Sequence, residues 1–532
     1  MRLAPGAIWP TLAGGFWGLV AGSLPFLFVR DHFGLTPVLA EWVIPLAAMA
    51  TGAALGLLLR KGAQAASGPV TTHGSARFAD ARRARGALGG PAGLIIGRAF
   101  GGWLMRYDGP GHLLTFAPTR SGKGVGVVLP NLLTADRAVL CVDPKGENAR
   151  IAARARSRFG PVHVLDPFGV SGQPASSYNP LAALDPFGTD LSEDAALIAE
   201  ALVYDPPQQV SEAHWNEEAK ALIAGLIMHV ITHPPPEGPT LAAVRDLLTA
   251  APARFGATLK AMQASQAADG LVARAANRHL GKADREATGV LSAAQRHTHF
   301  LDSGRITGSL ARSDFAFEDL RDRRATVFLV LPPERLGAHA RWLRLLVAQA
   351  LHALARSGPA DGRNAPSPIL FLLDEFATLG RLEPLAQAYG LMAGYGVQLW
   401  AILQDLHQLK ALYGERHGTF LANAAVTQVF NVADIDTAQW VSRTLGVTTE
   451  TFIAQGTSSS SGSSTSMQGG SISSGEGQTW SEQRVRRDLL TPDEVMRLAD
   501  HLMLVLRPGR APLVAGKVRH YADPEFAGLF DS

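Results

Sequence analysis

A short apolar run, a polar loop with a glycine–lysine pair and a second apolar run restrict the fold of this chain most strongly. Leu113–Phe116 has the composition of a strand, and Val125–Asn131 begins the next element. Between them Ala117–Gly124, with the sequence APTRSGKG, resembles the phosphate-binding pattern G-x-x-x-x-G-K-[ST]. Such a loop wraps backbone N–H groups around an anion and lies between a strand and a helix. The sequence therefore predicts an α/β fold with a phosphate site at this loop.

The residue types of the loop suit phosphate binding, with two departures from the general pattern. Gly122 allows close approach of the backbone to an anion, and Lys123 supplies a charge for the terminal phosphates. Ala117 occupies the place of the first glycine, and Gly124 replaces the Ser or Thr whose hydroxyl binds Mg²⁺. From this stretch alone, an ordinary glycine-rich turn with an exposed lysine remains an alternative. Nucleotide contacts are predicted for seven consecutive residues: Thr119, Arg120, Ser121, Gly122, Lys123, Gly124 and Val125.

A second apolar run, Pro368–Phe376, contains two adjacent carboxylates. An uninterrupted run of this kind is typical of a central strand in a parallel sheet. Side chains at the carboxyl end of such a strand face the crevice in which α/β sheets bind ligands. Asp374 is therefore predicted to hold Mg²⁺, and Glu375 to orient or deprotonate an attacking water. A surface Asp–Glu pair at the end of a core strand is the alternative interpretation.

Gln404 follows a further predicted strand, Gly396–Leu403. A glutamine at the end of the strand beside the carboxylates could sense a γ-phosphate or hold the attacking water, so the predicted catalytic residues are Lys123, Glu375 and Gln404. Helical stretches separate the other predicted strands, and alternation of strands and helices indicates a doubly wound parallel sheet. Those strands are Ala138–Val142, Val162–Leu165 and Thr326–Leu331.

Two apolar stretches near the amino terminus predict a membrane anchor. Ile8–Val29 has no charged residue, and Val38–Leu59 has one, Glu41. Each is long enough to cross a hydrocarbon core of about 30 Å as a helix. Arg60 and further basic residues follow the second span, and basic flanks stay in the cytoplasm. A cleaved signal peptide is disfavoured because the second span would still hold the chain in the membrane.

The composition indicates the cellular compartment of the chain, whereas it says little about its binding partners. The chain has 532 residues, a net charge of +3 and a single cysteine. No intramolecular disulfide and no cysteine-based zinc site can form, which fits a reducing compartment. Cys141 lies in an apolar run and is predicted to be a core residue.

The remaining patterns predict a helical insertion and a polar segment. Between Leu184 and Arg312 the sequence becomes helical, opening with an amphipathic run from His214. The Ser- and Gly-rich segment Gln455–Gln478 favours a flexible loop, with a hairpin or surface loop as the alternative. A returning strand is predicted at Leu502–Arg507. Further helices are predicted at Leu241–Leu248, Phe255–Ala264, Gly270–Leu280 and Asp284–Phe300.

With these motifs in place, the chain resembles the type IV secretion coupling proteins of the TraG-like class over nearly its whole length. Ordered motifs spread over hundreds of residues are more specific than any single one. The motifs that carry the resemblance are His73–Arg77, Ala117–Gly126, Asp143–Glu147, Tyr178–Leu181, Leu373–Phe376, Ala393–Gly396, Gln404 and Leu489–Val495.

The resemblance implies a RecA-like ATPase that uses ATP and Mg²⁺ and assembles as a homo-hexamer at the bacterial inner membrane. Such proteins recruit a relaxase bound to single-stranded DNA, or effector proteins, to the channel of a type IV secretion system. It also implies an all-α domain inserted into the nucleotide-binding domain. The expected divisions are an anchor at 1–61, nucleotide-binding parts at 62–204 and 316–532, and the all-α insertion at 205–315.

Two other functions stay open at this point. A nucleotide-binding scaffold or substrate receptor with little hydrolysis is supported only by Ala117 and Gly124. A septum-type DNA translocase also joins membrane spans to a RecA-like motor, although the helical insertion favours a coupling protein. A hexameric motor usually receives an arginine from the neighbouring subunit, and Arg381 and Arg443 are the candidates here.

Overall fold

The described part of the chain excludes its amino-terminal region. The computed structural model describes residues 71–204, 213–358, 367–466 and 469–531. The predicted membrane spans, Ile8–Val29 and Val38–Leu59, lie outside the described residues. Within the described ranges, no helix combines the length and the apolar character that a membrane span requires.

The chain divides into two compact units, and each is described by itself. Of the described residues, 71–76 and 446–488 belong to the smaller unit, and those of 77–445 and 489–531 belong to the larger one. The strands of both units, in chain order, are β1 (Leu94–Arg98), β2 (Leu104–Tyr107), β3 (His112–Phe116), β4 (Val139–Asp143), β5 (Val162–Leu165), β6 (Thr326–Val330), β7 (Ile369–Leu373), β8 (Val397–Leu403), β9 (Ala424–Val429), β10 (Val447–Ser466), β11 (Gly469–Asp488), β12 (Leu502–Leu506) and β13 (Leu513–Gly516).

An eleven-stranded sheet forms the centre of the larger unit, in the order β2-β1-β13-β12-β9-β3-β8-β7-β4-β6-β5. The seven neighbouring strands from β9 to β5 are parallel. The other four are antiparallel to their neighbours. The prediction of an α/β fold with a parallel sheet therefore holds for the seven strands that include β3 and β7. It misses the antiparallel edge, where short connections join β1 to β2 and β12 to β13, as antiparallel pairing permits.

Helices surround this sheet, and its two faces belong to separate hydrophobic clusters. Leu114 and Val142 point into one cluster, whereas Leu113 and Cys141 point into the other. Strands that are buried on both faces have continuous apolar sequences, which explains why these strands could be predicted from the sequence. The helices are α1 (Ala81–Leu88), α2 (Leu129–Thr134), α3 (Glu147–Arg156), α4 (Leu191–Leu202), α5 (Ala213–Thr232), α6 (Leu241–Leu248), α7 (Pro252–Gln263), α8 (Leu271–Leu280), α9 (Asp284–Thr298), α10 (Gly304–Ser309), α11 (Asp319–Asp322), α12 (Pro333–Arg356), α13 (Glu383–Leu391), α14 (Leu406–Tyr413), α15 (His417–Asn423), α16 (Ile435–Leu445) and α17 (Pro492–Met496).

The helical insertion lies between β5 and β6. Helices α5 to α10 follow one another there without an intervening strand in the described residues. Leu222, Ile223, Leu226 and Ile227 of α5 are buried at helical spacing. These helices share one hydrophobic cluster with the sheet. The domain boundaries at 205 and 315 therefore stay a prediction.

The smaller unit contains a long two-stranded hairpin in place of a flexible loop. Strands β10 and β11 pair antiparallel from Val447 opposite Asp488 to Ser466 opposite Gly469. The favoured loop interpretation of Gln455–Gln478 differs from this structure, and the hairpin alternative is confirmed. The reason is that ladder hydrogen bonds are made by the backbone, so a Ser- and Gly-rich strand can pair without an apolar face.

Candidate functional site

The loop after β3 is a compact turn that leads directly into a helix. The Ala117 N–H donates to the carbonyl of Leu403 at the end of β8, at 2.8 Å. The Gly126 N–H donates to the Gly122 carbonyl at 2.9 Å, which closes the first helical turn. A π-helical turn over Gly124–Val128 then continues into α2. The predicted strand–loop–helix arrangement is therefore present.

Two residues of the loop have left-handed backbone conformations. Gly122 has φ of +93°, which glycine adopts without steric penalty. Arg120 has φ of +64°, a conformation that costs a residue with a side chain about 1–3 kcal/mol. Such strain is typical of ligand-binding loops, and Thr119 and Arg120 are both exposed to an incoming ligand.

The two departures from the general loop pattern have different structural meanings. Ala117 is fully buried and its φ is not positive, so this position does not need a glycine. At Gly124 a Cβ atom would have nothing within 4 Å, and the backbone φ is again ordinary. Neither space nor backbone geometry requires glycine there. The substitution therefore removes a hydroxyl without a steric reason.

The structure brings four of the predicted site residues together. The Lys123 Nζ atom lies 2.6 Å from Glu375 Oε2 and 3.0 Å from Asp374 Oδ1. On the other side of the glutamate, the Gln404 amide Nε2 donates to Glu375 Oε1 at 2.9 Å. A lysine, two carboxylates and an amide thus form one connected polar cluster beside the loop.

The topology of the sheet explains this convergence. Strands β3, β8, β7 and β4 are parallel neighbours, so their carboxyl ends meet at one edge. The loop follows β3, Asp374 follows β7 and Gln404 follows β8. Glu375 has φ of +63° and ψ of +52°, which turns the chain sharply at the end of β7. A left-handed glutamate is uncommon and indicates a functional constraint.

The charges of the cluster depend on one another. Burial raises the pKa of the Asp374 carboxyl, and the Lys123 ammonium opposes this increase. Burial would lower the pKa of Lys123, but Asp374 and Glu375 outweigh that effect and raise it. Lys123 is therefore a cation at neutral pH. An anionic ligand would have to replace the carboxylates around its ammonium group.

Sequence reasoning assigned no chemical role to Asp143, although it lies at the same edge. Asp143 ends β4, is almost fully buried, and accepts hydrogen bonds from the Ala149 N–H at 2.8 Å and the Lys145 N–H at 3.3 Å. Burial raises its pKa to about 7, and the nearby Asp374 contributes to the increase. Its position at a strand end was the available signal. Its burial could not be predicted from the sequence.

The second omission is the contact between the loop and the chain after β13. The Lys517 ammonium donates to the Ser121 carbonyl at 2.9 Å, and the His520 N–H donates to the Val125 carbonyl at 3.2 Å. These residues carry no recognisable motif and are remote in sequence from the loop. No sequence signal identified them.

The two arginine candidates have ordinary surroundings in a single copy of the chain. The Arg381 guanidinium lies 3.3 Å from Glu383, and Arg443 is exposed on α16. Their contribution to a neighbouring subunit stays a prediction.

Comparison with known proteins gives consistent matches over most of the chain. A profile of the family described as "Type IV secretory system Conjugative DNA transfer" matches residues 79–529. Conjugal transfer protein TraG of Escherichia coli is 30% identical over 464 residues, which cover 80% of this chain and 71% of that protein. Protein VirD4 of Agrobacterium fabrum is 32% identical over 477 residues, which cover 86% of this chain and 67% of that protein.

Solved structures of the plasmid coupling protein TrwB have the same fold. The complex of TrwB with the ATP analogue ADPNP has a TM-score of 0.60 and 18% identity, covering 85% of this chain and 96% of that chain. The complex with ADP and Mg²⁺ has a TM-score of 0.60 and 19% identity, covering 83% and 93%. The RecA-like α/β fold is therefore confirmed. Together with the family profile, these relatives show that the chain belongs to the type IV secretory system conjugative DNA transfer family of coupling proteins.

Proposed function

We propose that the chain is a membrane-anchored ATPase that recruits substrates to a type IV secretion or conjugation channel and drives their export by ATP hydrolysis. The observation that carries this proposal is the cluster of Lys123, Asp374, Glu375 and Gln404 beside the phosphate loop. Within this family, TraG relatives are named as conjugal transfer proteins.

ATP binding is supported by the geometry of the loop. Backbone N–H groups within the predicted contact segment, Thr119 to Val125, would face the phosphates, that of Gly122 among them, whereas the Ser121 N–H donates to the Pro118 carbonyl at 3.1 Å. The helix that follows adds its dipole. The Ser121 hydroxyl is buried and has no hydrogen-bond partner among the described residues. Lys123 is held as a cation and would exchange its carboxylate partners for phosphate oxygens. TrwB, which has this fold, was solved with an ATP analogue and with ADP and Mg²⁺.

The residues present also fit Mg²⁺, although with fewer protein ligands than usual. Magnesium prefers oxygen ligands and is commonly held by one or two carboxylates, substrate phosphates and waters. Asp374 would provide the carboxylate, whereas Gly124 cannot provide the hydroxyl found in other phosphate loops. When bound, the ion would neutralise charge on the transferred phosphate.

Glu375 and Gln404 would orient and activate the attacking water. Once phosphate replaces Glu375 at Lys123, one carboxylate oxygen becomes available to accept a proton from water. The Gln404 amide holds the other oxygen at 2.9 Å and so fixes the orientation of the carboxylate. This arrangement favours hydrolysis over binding alone.

Several finer parts of the proposal rest on the sequence and the family. The anchor at 1–61, with most of the chain on the cytoplasmic side of the inner membrane, is supported by the two apolar stretches and their basic flanks. The homo-hexamer, the insertion at 205–315 and an arginine from the neighbouring subunit follow the family resemblance. The proposed partners are a relaxase on single-stranded DNA or effector proteins, together with channel components.

ATP turnover by the full-length protein in detergent tests the proposal, with and without single-stranded DNA. We expect Lys123→Ala and Glu375→Gln to lower turnover at least about 100-fold, because each removes a group that acts on the phosphate or the water. Lys260→Met, which changes an exposed lysine on α7, serves as the matched control. ATP turnover at the wild-type rate in both site variants would refute the proposal that this site hydrolyses ATP.

Transfer assays in a deletion strain separate the two cargo classes. Mobilisation of a plasmid would identify a nucleoprotein substrate, and export of a candidate effector would identify a protein substrate. Failure of the wild-type chain to restore either process would refute the coupling role.

A substrate receptor with slow hydrolysis is the second candidate, and Gly124 favours it. A weaker metal site would reduce hydrolysis more than nucleotide binding. Nucleotide binding without turnover in the wild-type protein, combined with normal substrate transfer, would select this alternative.

A further inference from the structure

The Lys517 side chain is a half-buried cation on the phosphate loop. Its ammonium donates to the Ser121 carbonyl at 2.9 Å and to the Asn431 side-chain oxygen at 2.6 Å. It also lies 4.8 Å from the centre of the Phe430 ring. In the described part of the chain, no carboxylate lies within 4.0 Å of this ammonium. Dipoles and a ring face therefore surround the charge in place of an ion pair.

Placing the Lys517 charge here without an opposite charge costs free energy of folding. A buried or half-buried charge is normally paired with an opposite charge. Burial lowers the pKa of Lys517 to about 8, although Asp500 acts in the opposite direction. The ammonium that carries this cost holds a backbone carbonyl of the phosphate loop. Lys517 differs in this respect from Lys123, whose ammonium contacts two carboxylates.

The peptide unit that Lys517 contacts has two possible orientations. The Ser121 carbonyl and the Gly122 N–H belong to one planar trans peptide, so they point in opposite directions. Gly122 lacks a Cβ and adopts positive or negative φ with similar ease, so it offers little resistance to a flip of this peptide. A contact from outside this residue can therefore select its φ of +93°. The bond from Lys517 to the Ser121 carbonyl is such a contact.

The selected orientation leaves a donor available for a ligand. None of the described residues accepts a hydrogen bond from the Gly122 N–H. The neighbouring backbone is held by the same segment, because the His520 N–H donates to the Val125 carbonyl at 3.2 Å. A Cβ at Gly126 would approach the Val518 carbonyl oxygen to 2.9 Å, so these two segments of the backbone pack closely.

We propose that Lys517 is a positioning residue for nucleotide binding, which fixes the Ser121–Gly122 peptide so that the Gly122 N–H faces the bound phosphate. The inference rests on the proposed nucleotide site. It adds a second lysine, outside any motif, that acts through the backbone of the loop and does not contact the phosphate.

Calorimetric titration of the full-length protein in detergent with ADP and with ADPNP tests this role. We expect Lys517→Met, which has a similar length but no charge or donor, to weaken both affinities about tenfold. Lys517→Arg keeps donors and charge and should bind more tightly than Lys517→Met. Lys260→Met controls for loss of a lysine, and Lys123→Ala defines the loss of the site itself.

A purely structural role would give a different pattern. We expect the nucleotide-free Lys517→Met protein to melt at or above the wild-type temperature, because a half-buried charge has been removed, while its stabilisation by ADP shrinks. In turnover, KM should rise with little change in kcat, since a positioned loop donor acts on bound substrate and transition state alike. A lower melting temperature with affinity within about twofold of wild type overturns the proposal.

The outcomes also separate this inference from the proposed function. If wild-type protein and Lys517→Met bind nucleotide equally while Lys123→Ala does not, only the role of Lys517 is wrong. If the wild-type protein binds no nucleotide, both proposals fall. Should Lys517→Met not fold, Lys517→Gln, which is neutral and too short, replaces it, and affinity equal to that of Lys517→Arg refutes the proposal.

Discussion

The Lys123 ammonium and the Glu375 carboxylate form a direct ion pair, with Nζ 2.6 Å from Oε2. Their side chains are only 19% and 23% exposed, so solvent screens the pair incompletely. The proposed catalytic carboxylate is therefore bound to the lysine that is expected to bind phosphate. Nucleotide binding must therefore break this ion pair, and the same event leaves the Glu375 carboxylate available to accept a proton from water.

This competition predicts an unusual combination in Glu375→Gln. The neutral amide competes less strongly for Lys123, so the affinity for ADPNP should stay the same or increase by up to about fivefold, since removing a partly exposed pair changes binding by roughly 1 kcal/mol. Turnover should fall sharply because the proton acceptor is lost. Calorimetry with ADPNP measures the first effect. A large loss of affinity would show that Glu375 does not compete with the nucleotide.

Gly124→Ser should strengthen the dependence of nucleotide binding on Mg²⁺. The site has space for the new side chain, since a Cβ there meets nothing within 4 Å, and serine at this position normally binds the ion. We expect half-maximal binding of ADP at a several-fold lower Mg²⁺ concentration. Gly124→Ala adds the same Cβ without the hydroxyl and is the matched control. Equal Mg²⁺ dependence in the two variants would contradict the prediction.

The left-handed backbone of Glu375 should be detectable as strain. Both Glu375→Gly and Glu375→Ala remove the carboxylate. Glu375→Gly also removes the steric conflict between the Cβ atom and the backbone, whereas Glu375→Ala retains that conflict. Because this position has φ of +63°, the free energy of unfolding of the glycine variant should exceed that of the alanine variant by about 1 kcal/mol. Melting temperatures of the two full-length variants in detergent give the comparison. If the alanine variant melts at the same temperature or higher, the conformation at the end of β7 is not strained.

The core of the site was predictable because strand ends converge. Each of the strands before Lys123, Asp374 and Gln404 is buried on both faces, and the apolar runs of β7 and β8 end directly at Asp374 and Gln404. Parallel pairing then brings those ends to one edge without any knowledge of side-chain contacts. The strand Val162–Leu165 and the helix Leu241–Leu248 have the predicted boundaries for a related reason, since apolar periodicity marks them clearly.

The remaining features depend on contacts that no local pattern encodes. Lys517 reaches the loop because β13 lies in the antiparallel edge of the sheet, and that pairing joins segments that are distant in sequence. The burial of Asp143 depends on the packing of α3 against β4. The hairpin of β10 and β11 is formed by backbone pairing of small polar residues, for which composition alone favoured a loop.

The raised pKa of Asp143 predicts that the stability of the protein falls as the pH rises. The pKa is about 7 in the folded chain, whereas an unfolded aspartate titrates near pH 4. Between these values the folded chain holds a proton that the unfolded chain has released, so unfolding becomes easier as the pH increases through this window. Above about pH 7 the contribution is constant.

Asp143→Asn isolates this contribution because asparagine does not titrate. We expect the difference in melting temperature between wild type and Asp143→Asn to favour the wild type more at pH 5 than at pH 8, equivalent to at least about 1 kcal/mol. Other titrating groups affect both proteins alike and cancel in the difference. A difference that is independent of pH over this range would mean that Asp143 is already ionised at pH 5. The burial of its carboxylate at the end of β4 would then be compensated by the N–H groups of Ala149 and Lys145.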